Sequence, residues 1–281
     1  MDNIDRLLQG SIDMHAHYGP HPTEKLRCDA LRGAQLASEA GMRAIVLKSH
    51  EYCTASLAYV VGQVVPSLAV FGAICLNSGV GGLNPAVVET SAKLGAKIIW
   101  MPTVSSNYRI KEKTYSKDGI GILDGKGKLL PVVGEILDIA KKYEMVIATG
   151  HVSVEAAFTL LDKARQKGIW RFVATHPLGM DTDEYFTLEE QCKIAGKGAF
   201  IEHCFFMEMP DFRRDPQLMI EGIRAVGAER CILTTDLGQN YNPAPAEGMR
   251  MMIGYMLKYG LSEKEIELMI KTNPAKLLGL D

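Results

Sequence analysis

Short apolar runs rich in β-branched residues alternate along this chain with longer stretches whose apolar residues recur at helical spacing. That alternation is the sequence form of parallel βα units. Eight runs read as strands: residues 11–17 (SIDMHAH), 43–50, 68–77, 96–103, 145–151, 171–176, 199–205 and 231–236. Between them, residues 28–42, 85–95, 130–144, 153–168 and 216–230 carry the helical period, and most stop at glycine or a charged turn before the next strand. Strands apolar nearly throughout are buried on both faces, which suits a parallel sheet covered by helices. Eight units in 281 residues favour an α/β fold closed into a (β/α)8 TIM barrel, one domain over residues 1–281. An open doubly wound sheet would carry a phosphate-cradling G-x-G-x-x-G after its first strand, and HAHYGP stands there instead.

Two segments exceed what a connection needs. Residues 104–130 contain a DGKG centre that suggests a small β-hairpin, and residues 206–217 follow the seventh strand. Both follow strands and precede helices, so both belong to the barrel's C-terminal mouth, as lids, as substrate contacts or as solvated decoration.

Composition narrows the function. A net charge of -2 and a pI near 6.4 provide no basic field for nucleic acid. No apolar run is long enough for a membrane span, and the first residues, MDNIDRLLQG, lack the pattern of a secretory signal, so a cytoplasmic protein is expected. Six cysteines without a C-x-x-C pair argue against a disulfide framework and a thiolate zinc site; Cys204, beside His203, is a minor candidate thiol. A small-molecule substrate is the expected partner, with homo-oligomer formation left open.

All seven histidines, at positions 15, 17, 21, 50, 151, 176 and 203, fall at or just past the C-terminal end of a strand segment. In a barrel those ends converge on the face that carries the active site. His15 and His17 are two residues apart on one strand, so they share a face and form a natural chelate. Asp236 ends the eighth strand, which closes against the first; His151 reaches over from the fifth. Three imidazoles and a carboxylate suit zinc or another divalent ion, which lowers the pKa of water towards 7 and makes a nucleophile. Asp236 would hold that water and take its proton, or else merely cap the next segment.

Lys48 and His50 share a face of the second strand, and a buried lysine there needs a partner or a substrate. On the seventh strand Glu202 and His203 have opposite parity; His203 is expected to face inward as a proton donor or ligand. His21 is either a further ligand or exposed. Tyr108 and Arg109 in the long loop, with Asn240 and Tyr241 after the eighth strand, are candidate substrate contacts.

With HAH on the first strand, GH after the fifth, THP after the sixth and TTD at the eighth, the chain resembles the amidohydrolase superfamily of metal-dependent barrel hydrolases over nearly its whole length. The resemblance implies that His15 and His17 bind the more buried metal, that Asp236 binds it and acts as base, and that His151 and His176 bind a second ion in dinuclear members, while in mononuclear ones His151 binds the single ion and His176 assists. It also implies that residues 262–281 form a closing helix, begun at Asn273 and Pro274 near the barrel. The fourth strand, AKIIWMPTVSS, departs from the dinuclear pattern because it lacks the usual bridging lysine, glutamate or cysteine. One ion, or two bridged by water or another residue, is therefore expected: zinc first, iron or manganese as alternatives. Histidines on the second and seventh strands give a faint similarity to polymerase-and-histidinol-phosphatase barrels.

The leading expectation is hydrolysis of an amide, ester, lactone or phosphoester bond, with His203 or Lys48 stabilising developing charge. Decarboxylation or iron-dependent oxygenation on the same shell is the alternative enzyme class. A barrel that keeps metal only for stability or binding is the non-catalytic one.

Overall fold

The structure, a computed structural model, describes residues 2–109, 114–115, 117–179 and 186–280. Its strands are β1 (Ile12–His17), β2 (Ala44–Lys48), β3 (Ala69–Cys75), β4 (Ala96–Trp100), β5 (Tyr108–Arg109), β6 (Thr114–Tyr115), β7 (Val146–Ala148), β8 (Phe172–Ala174), β9 (Phe200–Cys204) and β10 (Cys231–Thr234). Eight of them form one parallel sheet in the order β1-β2-β3-β4-β7-β8-β9-β10, helices alternating with strands, which is the (β/α)8 barrel. All eight strand segments of the sequence reading are present; the first ends at His17 as read, and the other seven end a little earlier because their last residues turn into the mouth. β5 and β6 pair antiparallel within the first long loop. The DGKG reversal follows, where Asp124 N donates to Lys128 O at 2.7 Å beside an antiparallel bridge of Leu123 and Leu129. Among the described residues, no helix is long and apolar enough to cross a membrane.

The seam between β10 and β1 is closed by backbone hydrogen bonds and by one side chain. Asp236 N donates to His15 O at 2.7 Å and His17 N to Leu237 O at 2.8 Å. Below them the Asp13 carboxylate accepts the Thr235 amide at 3.1 Å and its hydroxyl at 2.5 Å.

β1 also carries a bulge. In its pairing with β2, Asp13 stands opposite Ile45 and Ala16 opposite Leu47, so Met14 and His15 share one partner position. One extra residue flips the strand's phase. Ile12 and Met14 point into the barrel interior below the bulge; above it Ala16 and Tyr18 join the outer core and the histidines turn inward.

Two apolar layers follow. The inner one fills the barrel with Ile12, Met14, Val46, Ile98, Trp100 and Phe200 among others, and the outer one lies between strands and helices. Ala275, Leu277 and Leu278 belong to the inner layer, so the C-terminal helix plugs the end of the barrel opposite the mouth. That segment runs as Glu263–Glu267, a π-helical turn Leu268–Thr272, and Asn273–Leu278. Pro274 has no N–H to give the preceding turn, and the wider turn accommodates it. Asn273 anchors the plug by donating to Ala228 O at 2.9 Å and Cys231 O at 2.7 Å.

Candidate metal centre

The phase of β1 above the bulge and the two-residue repeat of β2 (Ala44, Val46, Lys48, then His50) bring four polar side chains to the mouth. His151 and His176 come in by different means. Gly150 adopts a left-handed φ of 59°, and His176 itself stands at φ 24°, each turning the chain inward as its strand ends. A Cβ at Gly150 would lie 2.3 Å from Met101 O, so glycine is required there. Asp236 is also left-handed, at φ 51°. Non-glycine residues held this way cost about 1–3 kcal/mol each and cluster at functional sites.

Five imidazoles form a ring. Centroid distances are 5.7 Å for His15–His17, 4.9 Å for His17–His50, 6.4 Å for His50–His151, 4.9 Å for His151–His176 and 6.2 Å for His176–His15. Asp236 Oδ1 lies 2.8 Å from His15 Nε2 and 3.0 Å from His17 Nε2, and His151 Nε2 lies 3.1 Å from His176 Nε2. Lys48 Nζ sits 2.6 Å from His15 Nε2 and 5.3 Å from the centre of the Trp100 ring. His50 Nδ1 is held by Thr103 Oγ1 at 2.7 Å, and Asn77 Nδ2 donates to that same hydroxyl.

The donor set fits a divalent cation. The ligating atoms of His15, His17 and Asp236 all lie within 4.8 Å of one another, and an ammonium already stands against the lone pair such an ion would take. Burial and the Lys48 charge lower His17 to about 4; burial, chiefly, lowers His176 to about 4 and His151 well below its usual value. Neutral imidazoles are the ligand form. His15 behaves differently: burial pulls it down, but the carboxylates of Asp236 and Glu202 together overcome that and lift it to about 8. For Asp236 burial acts upward, and the charges of His15 and Lys48 overcome it, leaving the carboxyl well below its usual range.

Other sequence expectations are corrected. On β9, Phe200 joins the inner core and Ile201 the outer, so Glu202 faces in and His203 faces out. Glu202 Oε1 lies 3.2 Å from His15 Nδ1, whereas His203 is buried towards Gly222 and Gln191 of the helix layer, with neither nitrogen hydrogen-bonded among the described residues. His203 is therefore removed as inward acid or ligand, and with it the seventh-strand histidine behind the faint phosphatase similarity. Cys204 is buried and its thiol is pushed far up by burial, the reverse of a nucleophile. His21 Nδ1 accepts from Glu24 N at 3.1 Å in its own loop at the rim.

A cavity of about 340 Å³ opens above the ring, bounded by His17, Lys48, His50, His151 and Asp236 below and by Leu26, Val104, Phe206 and Tyr241 towards solvent. Tyr241 bonds Asp211 Oδ1 at 2.8 Å, tying the loop after β10 to the long loop after β9. Gln239 rather than Asn240 joins the wall; Asn240 is exposed and its carbonyl accepts from Arg27. Tyr108 pairs with Tyr115 and packs on the outer core rather than on the mouth, and the Arg109 side chain lies outside the described residues. Sequence reasoning missed Asp13, Asn77, Trp100 and Thr103 and turned Glu202 the wrong way; the D-x-H-x-H spacing of β1 was the available signal for Asp13.

The fold is a (β/α)8 barrel similar to those of several solved barrel enzymes. Solved structures with this architecture include an amidohydrolase from Pseudomonas aeruginosa (TM-score 0.68, 13% identity, 98% of each chain covered). A phosphotriesterase homology protein from Escherichia coli gives 0.63 at 15% identity, covering 95% of this chain and 98% of that one. A 2,6-dihydroxybenzoate decarboxylase from Rhizobium gives 0.56 at 13%, covering 97% and 99%. At such identities the likeness speaks to the fold. Residues 10–202 match the model of a family of unknown function, DUF6282, and the chain belongs to that family. No curated protein matches it.

Proposed function

We propose that this protein is a metal-dependent hydrolase acting on a small molecule at an amide, ester, lactone or phosphoester bond. One observation carries the reading: five imidazoles, a carboxylate and an ammonium, drawn from five strands distant in sequence, surround one point at the floor of the mouth cavity. His15, His17, His151 and Asp236 would hold the ion, with His176 assisting or serving a second one. Bound there, a divalent ion polarises the scissile group and lowers the pKa of the attacking water. Asp236, kept ionised by His15 and Lys48, orients that water and accepts its proton. Lys48 and His50 line the same wall and stabilise the negative charge that develops on the substrate. Phe206, Val104 and Leu26 supply apolar surface for the substrate at the cavity's outer wall. Trp100, 5.2 Å from the His15 ring, occupies the end of β4 where a bridging ligand would otherwise stand, which favours a single ion.

A second reading follows from Lys48, a buried ammonium suited to a substrate carboxylate, and from the decarboxylase among the fold relatives. The shell would then decarboxylate an acid. Metal analysis of protein purified without added metal, followed by a panel of esters, lactones, amides, phosphoesters and aryl acids, tests both. Bound zinc or manganese with chelator-sensitive hydrolysis is expected. Carbon dioxide release without hydrolysis selects the second reading; iron with oxygen consumption, or no bound ion at all, overturns the first.

A further inference from the structure

His15 is gripped at both ends of its ring. Nε2 faces the metal seat beside Asp236, and Nδ1 faces Glu202 Oε1 at 3.2 Å from the opposite side. The Thr234 hydroxyl donates to the same Glu202 oxygen at 3.2 Å, and Cys204 Sγ lies 3.2 Å from Thr234 Oγ1 and 3.9 Å from His15 Nδ1. A neutral imidazole has one N–H and one lone pair, and the partner at one nitrogen decides what the other presents. A carboxylate accepts only. Asp236 stands at Nε2 as well, but Lys48 Nζ, 2.6 Å from that nitrogen, donates to it, so the carboxylate at Nδ1 holds the proton there and leaves the Nε2 lone pair directed at the centre.

We infer that Glu202 is the positioning residue of the metal centre: its carboxylate, 3.2 Å from His15 Nδ1 and braced by Thr234, fixes the tautomer and ring orientation in which Nε2 binds the ion. The inference rests on the metal reading above. Burial supports it independently, because Glu202 is 1% exposed and its Oε2 has no hydrogen-bond partner among the described residues. A carboxylate so placed is a poor device for stability alone. With Asp236 it also brings two negative charges to one dication, making the imidazole between them a more basic ligand.

Glu202→Gln keeps the shape and removes the charge. Zinc affinity, measured by competition with a chromophoric chelator, is expected to fall about 10–100-fold, with a smaller fall for Thr234→Val. A structural role alone would lower the thermal midpoint of the metal-free variant and leave zinc affinity as it is. Long-range proton–nitrogen NMR of the metal-free wild type in alkaline solution reads the His15 tautomer directly and needs no variant to fold. The Nδ1–H form is expected, with the Nε2–H form mixed in for E202Q. A wild-type ring protonated at Nε2, or an E202Q variant that binds zinc as tightly as wild type, overturns the inference. Wild-type protein that binds no zinc defeats the metal reading instead, and the tautomer spectrum then decides for or against Glu202.

Discussion

Thr235 bonds one carboxylate twice, its hydroxyl to Asp13 Oδ2 at 2.5 Å and its amide to Asp13 Oδ1 at 3.1 Å, and this pair fastens β10 to β1. The neighbouring residues, Asp236 and His15, are joined by the backbone bond just above it, so the clasp that closes the barrel also sets the spacing of the metal centre. Thr235→Val leaves a fully buried carboxylate short of a donor. A loss of about 1–3 kcal/mol is expected in urea unfolding of the metal-free protein. An unchanged midpoint would show that the seam stands without the hydroxyl.

Gly150 passes under Met101 with a left-handed backbone, and the next residue is His151. In Gly150→Ala the new methyl meets a carbonyl oxygen that belongs to backbone and cannot swing away. More than about 1 kcal/mol of stability should be lost, and zinc affinity should drop with it because His151 is displaced. Thermal unfolding and zinc titration of one preparation check both, and native values in either would contradict the account.

Much of this was legible in the sequence. Each strand appeared as an apolar run because both faces of a barrel sheet are buried, and His15, His17, His50, His151, His176 and Asp236 were placed at the mouth by their position at strand ends. The same double burial hid which face each residue takes. In FIEHC both neighbours of every residue are buried, so no polar alternation reveals that Glu202 and not His203 faces in; only the packing of Phe200 inside the barrel and Ile201 outside it settles the phase. The bulge at Met14 and His15 was equally silent, and the His15–His17 pair was read correctly because two-residue spacing holds on either side of it. Loop residues such as Tyr108 and Asn240 have no periodicity to place them.

Asn273 lies at the plugged end, away from the mouth, and donates to two buried carbonyls. Asn273→Ala strands both acceptors, so a loss of about 1–3 kcal/mol is expected, with turnover per folded molecule unchanged. Reduced turnover at full folding would mean that the plug reaches the site.

Asp236→Asn tests the base. The amide cannot take a proton, and kcat/KM should fall about 100–10,000-fold. Zinc stoichiometry, measured in parallel, separates loss of the base from loss of the ion. A non-catalytic metal barrel would show weakened binding and no activity to lose.

The pH dependence of stability should carry the mark of the misplaced histidine. Burial lowers His203 to about 3, so the native state refuses a proton that the unfolded chain accepts below its ordinary value of 6.5. Stability from this group is complete above about 6.5 and declines as pH falls towards 3, with a slope on the order of 1.4 kcal/mol per pH unit. His17 and His176, lowered to about 4, act in the same direction. Asp13, which burial raises to about 6, opposes them, since its native form gains the proton first and grows more favoured as pH falls through 6 towards 4. His50 and His151, held well below their ordinary value by burial, act with the histidines, and Glu208, raised to about 8 by burial, acts with Asp13; five groups against two leave a net loss in acid. His203→Leu fills the helix-facing pocket without a proton to refuse, so urea unfolding of the metal-free variant between pH 6.5 and 4 should flatten by about one proton. Activity at neutral pH should stay within about twofold of wild type, because the ring faces away from the cavity. An unaltered slope would mean that the native protein does protonate His203, and a large loss of activity would return it to the catalytic face.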